Sequence, residues 1–114
     1  MASQLTEAID GVVAALREAG VRATADPRNV VPPYAWVTVH DVTDTLGGAL
    51  TVRAAVFLIA GTRKGRSEIE ELGELLDQTA SVLTFDEPVT RVVATPPGTA
   101  NAGQPALLVI TTTE

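Results

Sequence analysis

The apolar residues fall at helical spacing in two parts of the chain. In residues 3–19, Ser3 precedes the pattern and Gly20 follows it, as expected for the N-cap and the left-handed C-terminal residue of a helix. A second helix is predicted after Ser67-Glu68-Ile69-Glu70, which is a capping-box sequence. The first helix has Leu5, Ile9, Val12, Val13 and Leu16 on its apolar face. The second is expected to place Ile69, Leu72, Leu75, Leu76, Ala80 and Leu83 inside and Glu68, Glu70, Glu71, Glu74 and Asp77 outside.

Four further segments, 35–42, 49–61, 89–95 and 106–113, have the apolar patterns of strands. Residues 54–60 are apolar at every position, which indicates a strand in the middle of a sheet covered on both sides, or one with one face on the core and the other in a subunit contact. Residues 21–25 are compatible with a short extra strand. The resulting order, α-β-β-α-β-β, predicts an α+β fold. We expect two helices packed on one face of a mostly antiparallel four- to five-stranded sheet.

Length and composition restrict the classes of function. The 114 residues, 46% hydrophobic and 19% charged, predict one folded domain spanning 1–114. The chain has no cysteine, which excludes thiolate chemistry and cysteine-based zinc sites. Its net charge of −6 argues against a nucleic-acid-binding protein. We expect a soluble protein without a membrane partner, since no apolar run approaches the length of a membrane span and the start does not resemble a secretory signal.

The segment Gly61-Thr62-Arg63-Lys64-Gly65-Arg66-Ser67 follows a predicted strand and precedes a helix, which is the setting of a phosphate-binding loop. It departs from that motif, because three residues separate the glycines and Arg66 stands where lysine is required. The alternative interpretation is a basic loop in which Arg63, Lys64 and Arg66 pair with helix carboxylates or with a neighbouring subunit.

His40-Asp41 is the one sequence pair that suggests a general base with an orienting carboxylate. No serine lies in a nucleophile elbow, and a single histidine cannot form a metal site alone. The acidic run of the second helix is typical of a solvated helix face. We therefore predict no catalytic, cofactor-binding or metal-binding residues, no cofactor and no enzymatic activity.

Tyr34 and Trp36 are candidate interface residues, because aromatic side chains are enriched in protein interfaces. Packing at the edge of the sheet is the alternative explanation. Residues 96–105 form a long loop for so small a domain, and such loops are often functional. We expect this loop, with Asn101 at its centre, to be an arm that contacts a neighbour.

The layout as a whole resembles the small tail-terminator (tail-completion) and neck proteins of long-tailed bacteriophages, particularly those of actinobacteria. The resemblance spans nearly the whole chain and lies in its size and pattern. It comprises an amphipathic helix, Tyr34-Ala35-Trp36-Val37 after a proline-rich loop, a long apolar strand ending Val56-Phe57-Leu58-Ile59-Ala60-Gly61, a capped helix with Leu72-Gly73-Glu74-Leu75-Leu76-Asp77, and the closing segments Val92-Val93-Ala94-Thr95-Pro96 and Gln104-Pro105-Ala106-Leu107-Leu108-Val109-Ile110.

The resemblance implies a structural virion protein whose homo-oligomer is a hexameric ring. Such a ring ends the polymerisation of the tail tube and joins it to the head-tail connector, while DNA passes through the centre without sequence-specific binding. Its location is the phage tail or neck, after assembly in the host cytoplasm. A head-closure or minor tail protein fits the same pattern. The competing hypotheses are a small ligand-binding or regulatory α+β module, which needs a pocket with convergent polar groups, and a small hydrolase or transferase that uses His40.

Overall fold

The fold is a five-stranded sheet with two helices. The computed structural model describes residues 3–26, 33–44, 47–61, 65–95 and 103–113. Its elements in chain order are α1 (Gln4–Glu18), β1 (Ala23–Thr24), β2 (Tyr34–Asp44), β3 (Leu50–Ile59), α2 (Gly65–Ala80), β4 (Thr90–Ala94) and β5 (Gln104–Thr113).

The ends of α1 follow from its sequence. Ser3 is the N-cap, and its hydroxyl oxygen accepts a hydrogen bond from the backbone N–H of Thr6 at 3.0 Å. At the other end Gly20 takes φ +89°, and Val21 N–H donates to the carbonyl of Leu16 at 2.9 Å. This bond and the left-handed conformation of Gly20 are those of a Schellman motif, in which Leu16 and Val21 are both buried. The predicted first helix is confirmed.

The strand order is β1-β2-β3-β5-β4. The pairs β2–β3, β3–β5 and β4–β5 are antiparallel, whereas β1 runs parallel to β2 with Ala23 opposite Ala35. The prediction of a mostly antiparallel sheet was wrong, because the sheet is mixed. The predicted element order was also wrong, since the order is α-β-β-β-α-β-β. β1 follows the C-cap of α1 within a few residues, and it runs in the same direction as β2.

One face of the sheet carries the main core. Apolar residues from both helices form a single cluster with alternate residues of the three central strands. The strand residues of this cluster include Ala35 and Val37 of β2, Val56 and Leu58 of β3 and Val109 of β5. Leu58 and Val109 have no exposed surface, so this face excludes water. We call it the helix face.

Helix α2 is rotated relative to the sequence prediction. It begins at Gly65, so Ser67 lies within its first turn rather than at a cap. Glu68, expected outside, is only 6% exposed, and Ile69, expected inside, is 68% exposed. The buried line along the helix consists of Glu68, Leu72, Leu75 and Thr79. Burial of Glu68 is offset by its ion pair with Arg91 of β4, whose Nη2 lies 2.9 Å from Oε2 of Glu68.

No helix in the described part of the chain has the length and apolar character needed to cross a membrane.

Candidate functional site: a subunit interface

The face of the sheet opposite the helix face carries a second apolar cluster. Within the described residues this cluster contains strand side chains only, and we call this side of the sheet the open face. Four of its members are buried, namely Tyr34, Ile59, Ala94 and Ala106, and three are partly exposed, namely Trp36, Phe57 and Val92. They lie at one end of the sheet, where β2 begins and β3 ends, since Tyr34 is paired with Ile59. The apolar end of the open face is therefore a candidate contact surface.

The centre of this surface is an aromatic pair. The rings of Trp36 and Phe57 stack with centroids 4.9 Å apart and an interplanar angle of 24°, because these residues are direct cross-strand partners. Both rings remain partly exposed. Together with Tyr34, the pair places three of the four aromatic residues of the chain on the open face. Phe57 also faces Leu108 of β5, which extends the apolar surface across the sheet.

Tyr34 is part of the core of the subunit rather than of its free surface. It is 1% exposed. Its hydroxyl is buried, as is Oε1 of Gln104 on the same side of the sheet, and neither atom has a hydrogen-bond partner. Burial raises the pKa of the Tyr34 hydroxyl. Of the two predicted aromatic interface residues, Trp36 is the one with exposed surface.

The other end of the open face is polar. Asp41 accepts a hydrogen bond from Nε of Arg53 at 2.9 Å, and Arg53 also reaches Glu87 through Nη1 at 2.9 Å. The hydrogen bond from Arg53 holds the pKa of the Asp41 carboxyl below its usual range. The two carboxylates in turn raise the pKa of Arg53. The open face thus changes from apolar to ionic along the strands, which restricts an apolar contact to the end that carries Trp36.

His40 does not form a base with an oriented carboxylate. It lies at a β-bulge, where the pairing of β2 with β3 shifts between Val39 and Asp41. Its Nε2 is 3.9 Å from Oδ2 of Asp41, beyond hydrogen-bond distance. Asp41 is instead engaged by Arg53. No group of three or more potential metal ligands occurs among the residues that the structure describes.

The basic loop is seen only in part. Arg66 is in the first turn of α2, where Nε donates to Oε1 of Glu70 at 2.9 Å, and its side chain is 92% exposed. This contact is one of the two pairings expected for the loop. Such an exposed ion pair contributes about 0.3–0.5 kcal/mol to the stability of the fold, so Arg66 can exchange Glu70 for another partner at little cost. Arg63 and Lys64 lie outside the described residues, as does Asn101 of the predicted arm.

Sequence reasoning missed the groove between α2 and the outer strand β4. It consists of two depressions that share Glu68 and Arg91. One is lined by Val93 and Pro105, and the other by Ile69 and Leu72. Val93 is 75% exposed and Ile69 is 68% exposed, the highest values among the exposed large apolar side chains described. The sequence signal for this groove was the pair Val92-Val93 in a short strand. Adjacent strand residues point to opposite faces of the sheet, so one of the two valines lies outside the core whichever face is buried.

The sequence matches no protein-family model, and no curated protein or solved structure is significantly similar to it.

Proposed function

We propose that this protein is a structural subunit of a bacteriophage tail, namely a tail terminator. In this role its copies form a hexameric ring that ends the tail tube and joins it to the head-tail connector. The proposal rests on the resemblance described above and on the apolar end of the open face. The partners are further copies of the chain, the tail tube protein and the connector protein, and its place is the virion.

The observation that carries the proposal is the partly exposed aromatic pair of Trp36 and Phe57. A sheet face left without a helix is normally polar in a protein that acts alone. Here that face is apolar at one end, and a stacked Trp–Phe pair lies within it. Aromatic side chains in such a surface are the residues that contribute most to protein–protein binding. The apolar end of the open face therefore supports a protein that functions by contact with other subunits.

The charge of the chain supports the same function. The net charge of −6 opposes tight association with phosphate groups. A ring through which DNA must slide requires a lining that does not hold the backbone. The acidic surplus of the chain suits such a lining.

The proposal is tested by the solution mass of the purified chain and of a Trp36→Ser variant. Light scattering over a wide concentration range is expected to show a ring for the wild-type chain. The variant should dissociate at roughly 30-fold higher concentration, as expected when an interface tryptophan contributing about 2 kcal/mol is removed. Val82→Ser is the matched control, because Val82 is 42% exposed and lies outside the open face, beyond the end of α2.

Circular dichroism of each variant separates loss of assembly from loss of folding. A wild-type chain that stays monomeric at every concentration contradicts the proposal. Equal effects of the two substitutions on the mass contradict the role of the open face. A monomer that is stabilised by a small molecule in thermal-shift screens would instead favour the ligand-binding alternative.

A further inference from the structure

Both edges of the sheet have unpaired backbone in the described part of the chain. β4 is an outer strand, bonded to β5 on one side only. On the opposite edge, β1 has two residues and pairs with Ala35 and Trp36 alone, so β2 has no described strand beside it from Val37 onward. Open edges of this kind are templates for a strand from another chain. The bulge at His40 interrupts the edge of β2, which leaves Val37–Val39 as the regular part.

A groove accompanies this open part of β2 on the helix face. It lies between α1 and β2, in line with β1, and has a volume of about 270 Å³. Its apolar walls are Leu5 and Ile9 of α1, Ala25 directly after β1, and Val37 and Val39 of β2. Asp10 lies at its rim and is exposed. The groove therefore has room for an apolar side chain beside a position suited to a cation.

The opposite edge of the sheet carries the complementary pair of side chains. Val93 and Arg91 are two residues apart in β4, so they lie on the same side of the strand. That side is the helix face, because Arg91 contacts Glu68 of α2. Val93 is 75% exposed. The side chain of Arg91 is 70% exposed, which leaves guanidinium donors free for a second carboxylate.

We infer that β4 of one copy pairs with the open edge of β2 in the next copy. Val93 then enters the groove between α1 and β2, and Arg91 lies beside Asp10. The occupant is a second copy because the apolar and charged positions of the two edges of the same chain complement each other. Strand addition supplies backbone hydrogen bonds, and the alternate side chains supply specificity. On the open face the same pairing brings Val92 toward Thr38 and Trp36, so it is continuous with the contact proposed above.

The symmetry of such a contact follows from its two different surfaces. A contact between unlike surfaces is head-to-tail, and it generates a closed ring when the rotation between copies closes. Each copy uses both edges, so ring closure leaves neither edge open. This inference rests on the proposed ring and names the surfaces that build it.

Site-specific cross-linking tests the pairing. The sequence contains no cysteine, so only the introduced cysteines can react. Val39→Cys and Val93→Cys variants are mixed in equal amounts and treated with a short bis-maleimide. We expect a cross-linked dimer from the mixture and a ladder reaching six chains from the double variant. Neither single variant should cross-link, because the contact joins unlike surfaces. Val82→Cys, mixed with Val93→Cys, is the control of comparable exposure and should give no product.

Different failures separate this inference from the proposed function. If the wild-type chain forms a ring but positions 39 and 93 do not cross-link, the edge pairing is wrong and the proposed ring is unaffected. A product from Val93→Cys alone overturns it as well, because it indicates that two β4 strands meet about a two-fold axis. A chain that is monomeric and gives no cross-link overturns both.

The predicted charge contact is tested with Asp10→Arg. Two cations in proximity should raise the dissociation constant of the assembly about tenfold and reverse its salt dependence. Asp77→Arg makes the same change in charge on the outer side of α2 and should have no such effect. Equal dissociation constants for the two variants contradict the placement of Arg91 beside Asp10.

Discussion

Replacing Tyr34 by phenylalanine is expected to stabilise the protein. The hydroxyl of Tyr34 is buried and has no hydrogen-bond partner, while the ring is 1% exposed and packed. An unpaired buried hydroxyl costs about 1–3 kcal/mol, and phenylalanine removes this cost while the ring still fills the same space. We expect the free energy of unfolding to rise by about 1 kcal/mol and the melting temperature by about 4 °C.

Thr79→Val is the matched comparison, because it removes a buried hydroxyl that is paired. Thr79 has no exposed surface, and its hydroxyl donates to the carbonyl of Leu75 at 2.7 Å. Its loss should lower the free energy of unfolding by about 0.5–1.5 kcal/mol. Urea unfolding followed by circular dichroism measures both variants. A loss of 1 kcal/mol or more in Tyr34→Phe would refute the reasoning, since it would show that the hydroxyl is hydrogen-bonded in solution.

Three further predictions concern the core, the ion cluster and the first helix. Leu58→Ala should lower the free energy of unfolding by about 2–5 kcal/mol in urea titrations, whereas the exposed Ile69→Ala should change it by less than about 0.5 kcal/mol; similar losses would contradict the assigned burial. The lowered pKa of Asp41 means that its ion pair stabilises the fold above the ordinary carboxyl pKa and is lost as the pH falls through the folded value. Asp41→Asn should therefore be less stable near neutral pH and lose less stability than the wild-type chain between about pH 5 and pH 2, and parallel pH profiles would count against this. Ser3→Ala should lower the free energy of unfolding by about 1 kcal/mol through loss of the N-cap bond to Thr6. An unchanged unfolding midpoint would show that this bond does not stabilise the protein.

Local sequence patterns were sufficient for most of the elements. The apolar spacing of α1 and its Ser3 and Gly20 ends are short-range signals, and the structure contains each of them. The alternation of residues 35–42 and the apolar run of 54–60 likewise became β2 and β3. The short segment 21–25 became β1 at Ala23–Thr24.

Long-range contacts account for what the patterns did not predict. The parallel pairing of β1 with β2 is a contact between separate segments of the chain, and periodicity does not describe it. In α2, Glu68 and Ile69 are both within one turn of Leu72, so the spacing fits either of them facing inward. In the structure Glu68 is the buried one, and it is paired with Arg91, 23 residues further along the chain.

The candidate interface shows the same difference between what local sequence predicts and what long-range contacts decide. Trp36 was identified from its residue type alone, and the structure adds its stacking partner Phe57 and the apolar surroundings on the open face. Tyr34, identified by the same argument, is only 1% exposed. Residue type indicates which side chains suit an interface, whereas the fold decides which of them are exposed.

Electron microscopy of the purified chain tests the central claim most directly. The account predicts ring-shaped particles with six-fold symmetry, a central hole wide enough for duplex DNA, and a mass about six times that of the 11.9 kDa chain. Particles that remain the size of a single chain at every concentration, with the corresponding mass in light scattering, would contradict it.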